Sequence, residues 1–390
     1  MHDRFTQKLV LALAVFLAAC AAPDEEDVGT SVSAVRRDPA LDAFTARNPI
    51  RVHPTGRPGG GGGGITNPTP TGLSPATIRA AYGLPSTGGT GTIAIIDAYD
   101  NPKAESDLNV FSAYYGLPAC TTANGCFEKH KMINKIRGDQ GWGLEIALDV
   151  QVAHAIAPDA KILLVEAKSA SGTDLLAAVD YARNRSDVVA VSMSWGGGEF
   201  SSEASYDSYF TSVYGATFFA SSGDSGTGAS WPTSSPNVVS VGGTTLILSG
   251  GVLTDEVAWD GSGGGVSAYQ PAPAYQTAYG LTGNRAIPDV SANADPASGY
   301  SIYDSYGYSG QTGWFQVGGT SGSCPLWAGI KALGLSADNV AFYQDAASPD
   351  YGLYFRDIAS GSNGACGALC DAAAGYDHVT GLGSPLATVY

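Results

Sequence analysis

The sequence predicts an α/β domain with a central, mostly parallel sheet and helices on both of its faces. Two patterns predict it. Between residues 92 and 223, apolar runs of strand length alternate with amphipathic helical runs, the order expected of βαβ units. The strands are also apolar throughout instead of at every second position, as in sheets covered on both sides. Composition agrees, since 44% hydrophobic residues in a 390-residue chain suffice for one large core.

The elements follow in chain order. In residues 1–19, Arg4 and Lys8 precede the apolar run from Leu9 to Leu17, the pattern of an export signal too short to span a bilayer. Leu17-Ala18-Ala19-Cys20 resembles a bacterial lipobox, which predicts cleavage before Cys20 and a lipid on that cysteine; an ordinary signal with a chance cysteine is the other reading. The expected location is outside the cytoplasm, as an extracellular protein or a cell-surface or outer-membrane lipoprotein of a bacterium. Residues 20–70, with the run "RPGGGGGGITNPTPTG", read as a flexible Gly/Pro-rich linker. The folded domain is expected over 71–390.

Ser74-Pro75 signals the first helix of that domain, in "LSPATIRAAYGL". Then come strand "TIAIIDAYD", helix "GLEIALDVQVAHAIA", strand "KILLVEA", helix "TDLLAAVDYARN", strand "VVAVSMSW", helix "SEASYDSYFTSVYG" and strand "ATFFASSG". Active sites of such sheets lie at the carboxyl ends of the strands, where Asp97, Ser194 and Asp224 fall.

Charge and cysteines exclude several classes. With 36 Asp and Glu against 20 Lys and Arg, the net charge of −16 argues against nucleic acid or an anionic membrane surface as partner. Cys120 and Cys126 bracket "TTANG", and Cys366 and Cys370 bracket "GAL", so two local disulfides are expected and Cys324 is left over as a buried thiol. The five histidines are scattered and no CxxC occurs, so no zinc site is expected.

Gly223-Asp224-Ser225-Gly226 looks like the surroundings of a serine nucleophile, but it ends a strand of an α/β sheet, which makes Ser225 a poor candidate. A better one is Ser321 in "VGGTSGSCPLWAGI", placed at a helix N-terminus with Pro325 expected in the first turn. There it is either a nucleophile or a simple N-cap serine. Glu145 and Asp149 stand at i and i+4 on one helix with apolar flanks, a spacing that half-buries two carboxylates and lets them share a proton. His154 is a conventional base or, more ordinarily, a packed helix residue. No GxSxG elbow surrounds Ser321, which disfavours an esterase of the α/β-hydrolase type.

Together "GLEIALDV", "SMSWGG", "ASSGDSG", "WPTSSPNVVSVGGTTL", "RAIPDVSANADPASGY", "GGTSGSCP" and "AAAGYDHVTGLGSP" resemble the sedolisins, or serine-carboxyl peptidases, in the right order from about Leu73 to Tyr390. The resemblance implies a subtilisin-like fold in which Ser321 is the nucleophile, Glu145 its base, Asp149 the partner of Glu145, and Asp224 the oxyanion-hole residue. Ser194, Trp195 and Gly196 would form the edge that pairs with an extended peptide. Asp97 would line or support the site. One structural Ca²⁺ would be held by Asp357 and Asp377 with the carbonyls of Ile358, Ala373 and Gly375, Ala373 standing where the family usually has glycine. The implied function is an acid-acting, monomeric endopeptidase of peptides and proteins. An inactive surface lipoprotein that binds peptides, or a serine peptidase using His154, are the alternatives.

Overall fold

The computed structural model describes residues 35, 38–53 and 65–387. The export signal and Cys20 lie outside the described residues. Within the stretch expected to be flexible linker, residues 38–53 are built into the fold. Asp38 caps helix α1 (Pro39–Ala43) by accepting from Ala40 N at 2.8 Å, Pro39 fills the first helical position, and Arg51–Val52 form strand β1.

Chain order continues with β2 (Ile65–Asn67), α2 (Pro75–Tyr82), β3 (Thr92–Ala98), α3 (Ala104–Tyr115), β4 (Phe127–Lys131), α4 (Gln140–Ile156), β5 (Lys161–Ala167), α5 (Gly172–Arg183) and β6 (Val188–Met193). Next come β7 (Thr217–Ser221), β8 (Val238–Ser249), β9 (Val252–Ala258), β10 (Gly265–Pro271), α6 (Ala274–Tyr279), β11 (Asn284–Ile287), β12 (Val290–Asn293), β13 (Tyr300–Tyr308), β14 (Gln311–Gly318) and α7 (Thr320–Ala332). The helix expected over "SEASYDSYFTSVYG" is instead a 3₁₀ turn from Glu203 to Phe210. Its cap serine makes no side-chain hydrogen bond, and Ser, Asp and Tyr are weak helix formers.

The main sheet runs β12-β8-β7-β6-β3-β5-β4, all parallel, with β9 antiparallel on β8. Alternation along β3 shows how both faces are filled. Ile93 and Ile95 join one core with α4 and α7, whereas Ala94 and Ile96 join another with α5. This is the three-layer architecture that the sequence predicts. Disulfides join Cys120 to Cys126 and Cys366 to Cys370, and Cys324 is free and buried.

Candidate active site

Strand β14 ends at Gly318, and Gly319 turns the chain into α7 with φ 108°. A side chain at 319 would meet the Pro49 carbonyl oxygen at 2.0 Å and Asp224 Oδ2 at 2.6 Å, so only glycine serves here. Ser321 consequently falls in the first turn of α7, fully buried. Pro325 lies in the second turn, not the first as expected. Lacking an N–H, it cannot donate to the Ser321 carbonyl four residues back, and the Ser194 hydroxyl donates to that oxygen instead, at 3.3 Å. Cys324 stays inert, because burial pushes its thiol well above the ordinary value.

Helix α4 starts where Asp139 accepts from the N–H groups of Gly141 and Trp142, both at 3.0 Å. It packs on the sheet beside α7, with β13 against it as well, and every residue from Trp142 to Ile156 is buried. Glu145 and Asp149 therefore have no exposed surface, and none of their four carboxylate oxygens has a hydrogen-bond partner among the described residues. The same holds for Asp97 at the end of β3. Burial raises all three carboxyls well above the usual range; the charge of Asp97 adds to this for both Glu145 and Asp149. Three such groups disfavour full ionisation of one another. The Ser321 hydroxyl and the Asn48 side chain work in the opposite direction on Glu145. His154 is not part of this cluster. It sits nine residues, about 13 Å, along the helix from Glu145, with Nε2 2.9 Å from the Pro118 carbonyl.

Asp224 follows β7 and faces the start of α7. Its Oδ1 accepts from Thr320 N at 2.8 Å and Thr320 Oγ1 at 3.0 Å, while Oδ2 has no hydrogen-bond partner among the described residues. Burial pushes its carboxyl up to about 7, against the hydrogen bonds from Thr320 and the charge of Arg51. Near neutrality and below, Oδ2 can thus carry a proton and donate it toward the space over Gly319. Ser225 is exposed and lines the cleft next to Asp224.

Of the expected peptide-binding edge, the three residues do three different things. Gly196 presents its backbone to the cleft. Ser194 steadies Ser321 as described. Trp195 points into the core, fully buried, with Nε1 donating to the Ile96 carbonyl at 2.9 Å. What lies on the Gly196 edge is the protein's own N-terminal arm. Arg47 and Gly196 exchange two backbone hydrogen bonds, at 2.9 and 3.2 Å, as an antiparallel pair. Two residues on, the Ser321 hydroxyl donates to the Pro49 carbonyl at 2.9 Å. Beyond it, Arg51 and Val52 pair antiparallel with Gly318 and Val317 of β14. Arg51 Nη2 donates to the Asp224 carbonyl at 2.8 Å, with Nε 3.7 Å from Asp224 Oδ2. Beside Pro49 remains a cavity of about 610 Å³, lined largely by small residues such as Gly197, Ser222, Gly228, Ser230 and Gly263.

The residues expected to hold Ca²⁺ lie together near the C-terminus. Gly375 N donates to both Asp357 oxygens at 3.1 Å, and Ala373 N donates to Asp377 Oδ2 at 3.1 Å, so one loop faces both carboxylates. The carbonyls of buried Ile358 and of Ala373 and Gly375 accept no backbone hydrogen bond among the described residues. Ala373 is not in the left-handed region, so alanine fits there without strain. Two carboxylates and three free carbonyls are a donor set suited to a hard cation.

Comparisons with known proteins agree with this geometry. The Subtilase family model matches residues 133–347. Kumamolisin of Bacillus sp. (strain MN-32) is 33% identical over 364 residues, covering 81% of this chain and 62% of that protein. Sedolisin of Pseudomonas sp. (strain 101) is 29% identical over 354 residues, covering 79% of this chain and 58% of that protein. The chain thus spans about six-tenths of the length of these curated relatives. The solved structure of Pseudomonas sedolisin, a serine-carboxyl proteinase complexed with pseudo-iodotyrostatin, superposes with a TM-score of 0.69 at 29% identity, over 81% of this chain and 96% of that one. A serine at a helix N-terminus, facing buried carboxylates at the carboxyl edge of a parallel sheet, and a family pattern that spans that edge therefore say the same thing: the chain belongs to the subtilase family, on its sedolisin branch.

Proposed function

We propose that the protein is an acid-acting serine-carboxyl endopeptidase, and the observation that carries this reading is a peptide carbonyl, that of Pro49, resting on the Ser321 hydroxyl. Ser321 Oγ attacks the scissile carbonyl while its proton passes to Glu145, and the buried Asp149 and Asp97 spread that proton over the carboxyl cluster. The developing oxyanion accepts from protonated Asp224. One such donor contributes about 2.7–4 kcal/mol to the transition state. Glu145 must be deprotonated and Asp224 protonated in the same molecule, which gives a bell-shaped acidic profile. Action on internal bonds is supported by the arm, whose backbone pairs with the protein on both sides of Pro49.

Asp357, Asp377 and the carbonyls of Ile358, Ala373 and Gly375 would hold Ca²⁺, whose charge would tie their loop to the domain without entering the reaction. A chelator is then expected to lower the melting temperature, with added Ca²⁺ restoring it. An exported, monomeric protein, anchored through a lipid on Cys20, completes the reading; the mass of the N-terminal peptide tests the anchor.

The central experiment is hydrolysis of a mixed peptide library from acid to alkaline pH by wild type, Ser321→Ala and Glu145→Gln. Cleavage should peak below about pH 5.5 and fall by about 10⁴-fold or more in Ser321→Ala. Neutral activity that survives Glu145→Gln would name the wrong base, and binding without cleavage at any pH would make the protein a peptide-binding module.

A further inference from the structure

Cys120, Cys126 and His154 meet away from the cleft, and nothing described so far gives them a common role. We propose that they form a redox-gated metal site, which takes Zn²⁺ when the disulfide between Cys120 and Cys126 is reduced. The proposal stands apart from the peptidase reading, since none of the three residues enters that reaction.

Three observations support it. The first is convergence. Cys120 lies in the connection after α3, Cys126 directly precedes β4, and His154 comes from the last turn of α4, yet both sulfurs and one imidazole nitrogen lie within 4.8 Å of one another. Cys120 and His154 have no exposed surface, and Cys126 is half-buried. Two thiolates and an imidazole are a donor set that zinc uses, with a fourth position left for water. Spacing along the chain hides the set, because the fold brings in the histidine from the far end of α4.

The second is the state of His154. Its Nε2 lies 2.9 Å from the Pro118 carbonyl, while Nδ1 is buried and has no hydrogen-bond partner among the described residues. A carbonyl only accepts, so the proton is on Nε2 and Nδ1 keeps a free lone pair. Metal-ligating histidines are oriented in this way, one nitrogen tied to a carbonyl and the other left for the ion. A histidine that served packing alone would have no reason to leave a buried acceptor bare.

The third is that the turn between the cysteines holds its shape without the covalent bond. Asn124 Oδ1 accepts from Thr121 N and Cys126 N, both at 3.0 Å, and Asn124 Nδ2 donates to the Ala119 carbonyl at 2.7 Å. The Thr121 carbonyl accepts from Cys126 N at 3.2 Å and Phe127 N at 3.1 Å, and Glu105 of α3 accepts from Thr122 N at 2.8 Å. Reduction therefore leaves both thiols beside the imidazole, where side-chain rotation alone can spread them around an ion. Cys366 and Cys370 have no third ligand of this kind among the described residues.

The exchange balances. Two molecules of a small thiol close to their own disulfide and pass two electrons and two protons to Cys120 and Cys126. Zn²⁺ then displaces both thiol protons, and the neutral imidazole binds without losing one. In the oxidised state the turn is closed on itself; in the reduced state the ion fastens it to α4, the helix that carries Glu145 and Asp149.

The test uses the full chain, reduced with a small thiol, freed of that thiol under argon, and titrated with Co²⁺ and then Zn²⁺. Reduced wild type should bind Co²⁺ with a thiolate-to-cobalt absorption band that Zn²⁺ bleaches at one ion per chain, and its melting temperature should rise with Zn²⁺. Oxidised wild type should show no band. His154→Gln and Cys120→Ser should each lose the band and the rise, with the melting of oxidised His154→Gln checking that it folds. A Cys366→Ser, Cys370→Ser double variant, which lacks the other pair, should keep both. A band that survives His154→Gln at full strength, or that vanishes in the double variant, would place the ion on thiols elsewhere and overturn the proposal. So would reduced wild type that melts cooperatively but takes up no Co²⁺. A reduced chain that stays unfolded with Zn²⁺ present would overturn it too, leaving the disulfide as a lock and no more.

Discussion

Asp149 and Asp289 are equally buried, both without exposed surface, yet the protein treats them in opposite ways. Asp289 takes Arg285 Nη1 at 2.6 Å and Nη2 at 2.5 Å as a fork, and also accepts from Ser240 N at 2.8 Å and Tyr343 OH at 3.0 Å. Asp149 has a neighbour of its own charge, Glu145, and a third carboxyl, Asp97, and no hydrogen bond among the described residues. The saturated cluster holds β11 and the start of β12 to the sheet. The bare one has no such partners among the described residues, and three unsatisfied buried carboxyls fit the proton-holding role proposed above.

The comparison can be broken at either end. Arg285→Met should cost the most stability, about 3–5 kcal/mol in denaturant unfolding, because it strands the Asp289 charge; a loss below about 1 kcal/mol would mean that the pair is not the structural lock described. Glu145→Gln should do the reverse, removing activity while raising the melting temperature. The sign follows from the raised carboxyls. A group whose folded pKa lies above its unfolded value binds more protons when folded, so its stabilisation is complete below the unfolded pKa and lost as pH rises through the folded one. Wild type is therefore expected to melt earlier as pH climbs from about 4 toward neutrality, and Glu145→Gln should flatten that slope in a thermal scan series. Asp224→Asn sharpens the contrast most finely. An amide donates at every pH, so the alkaline limb that Asp224 is proposed to set should move upward, with about a tenfold loss at the optimum. An unchanged alkaline limb would remove Asp224 from the oxyanion hole.

Much of this site could be read before any coordinates. The period of the apolar runs marks the sheet, and i,i+4 spacing puts Glu145 and Asp149 on one helix face, expected half-buried from their apolar flanks but fully buried because β3, α7 and β13 all pack on that helix. What escaped has physical reasons. Asp97 is expected to line or support the site, but its place beside Glu145 and Asp149 follows from β3 lying under α4, a neighbourhood set by strand order and not by spacing. Trp195 was expected on the peptide edge, but it leaves the end of β6 on the side of the α5 core, and its indole finds the Ile96 carbonyl there. The arm was hidden by its surroundings: a polar stretch followed by a glycine run reads as linker, although Asp38-Pro39 is a helix start and Leu41 and Phe44 are spaced to bury one face. Its docking depends on a groove that exists only once residues 170–231 have folded.

Pro325 has a consequence for how recognition reaches the reacting atom. By withholding its N–H it leaves the Ser321 carbonyl to the Ser194 hydroxyl, two residues from the Gly196 backbone that pairs with Arg47 of the arm. The edge proposed to hold a peptide and the helix proposed to carry the nucleophile are thus tied by one hydrogen bond, 3.3 Å long. On the proposed reading, a peptide seated out of register along Gly196 would misplace its own carbonyl relative to Ser321 by a whole ladder step, so selection by backbone position would precede any selection by side chain.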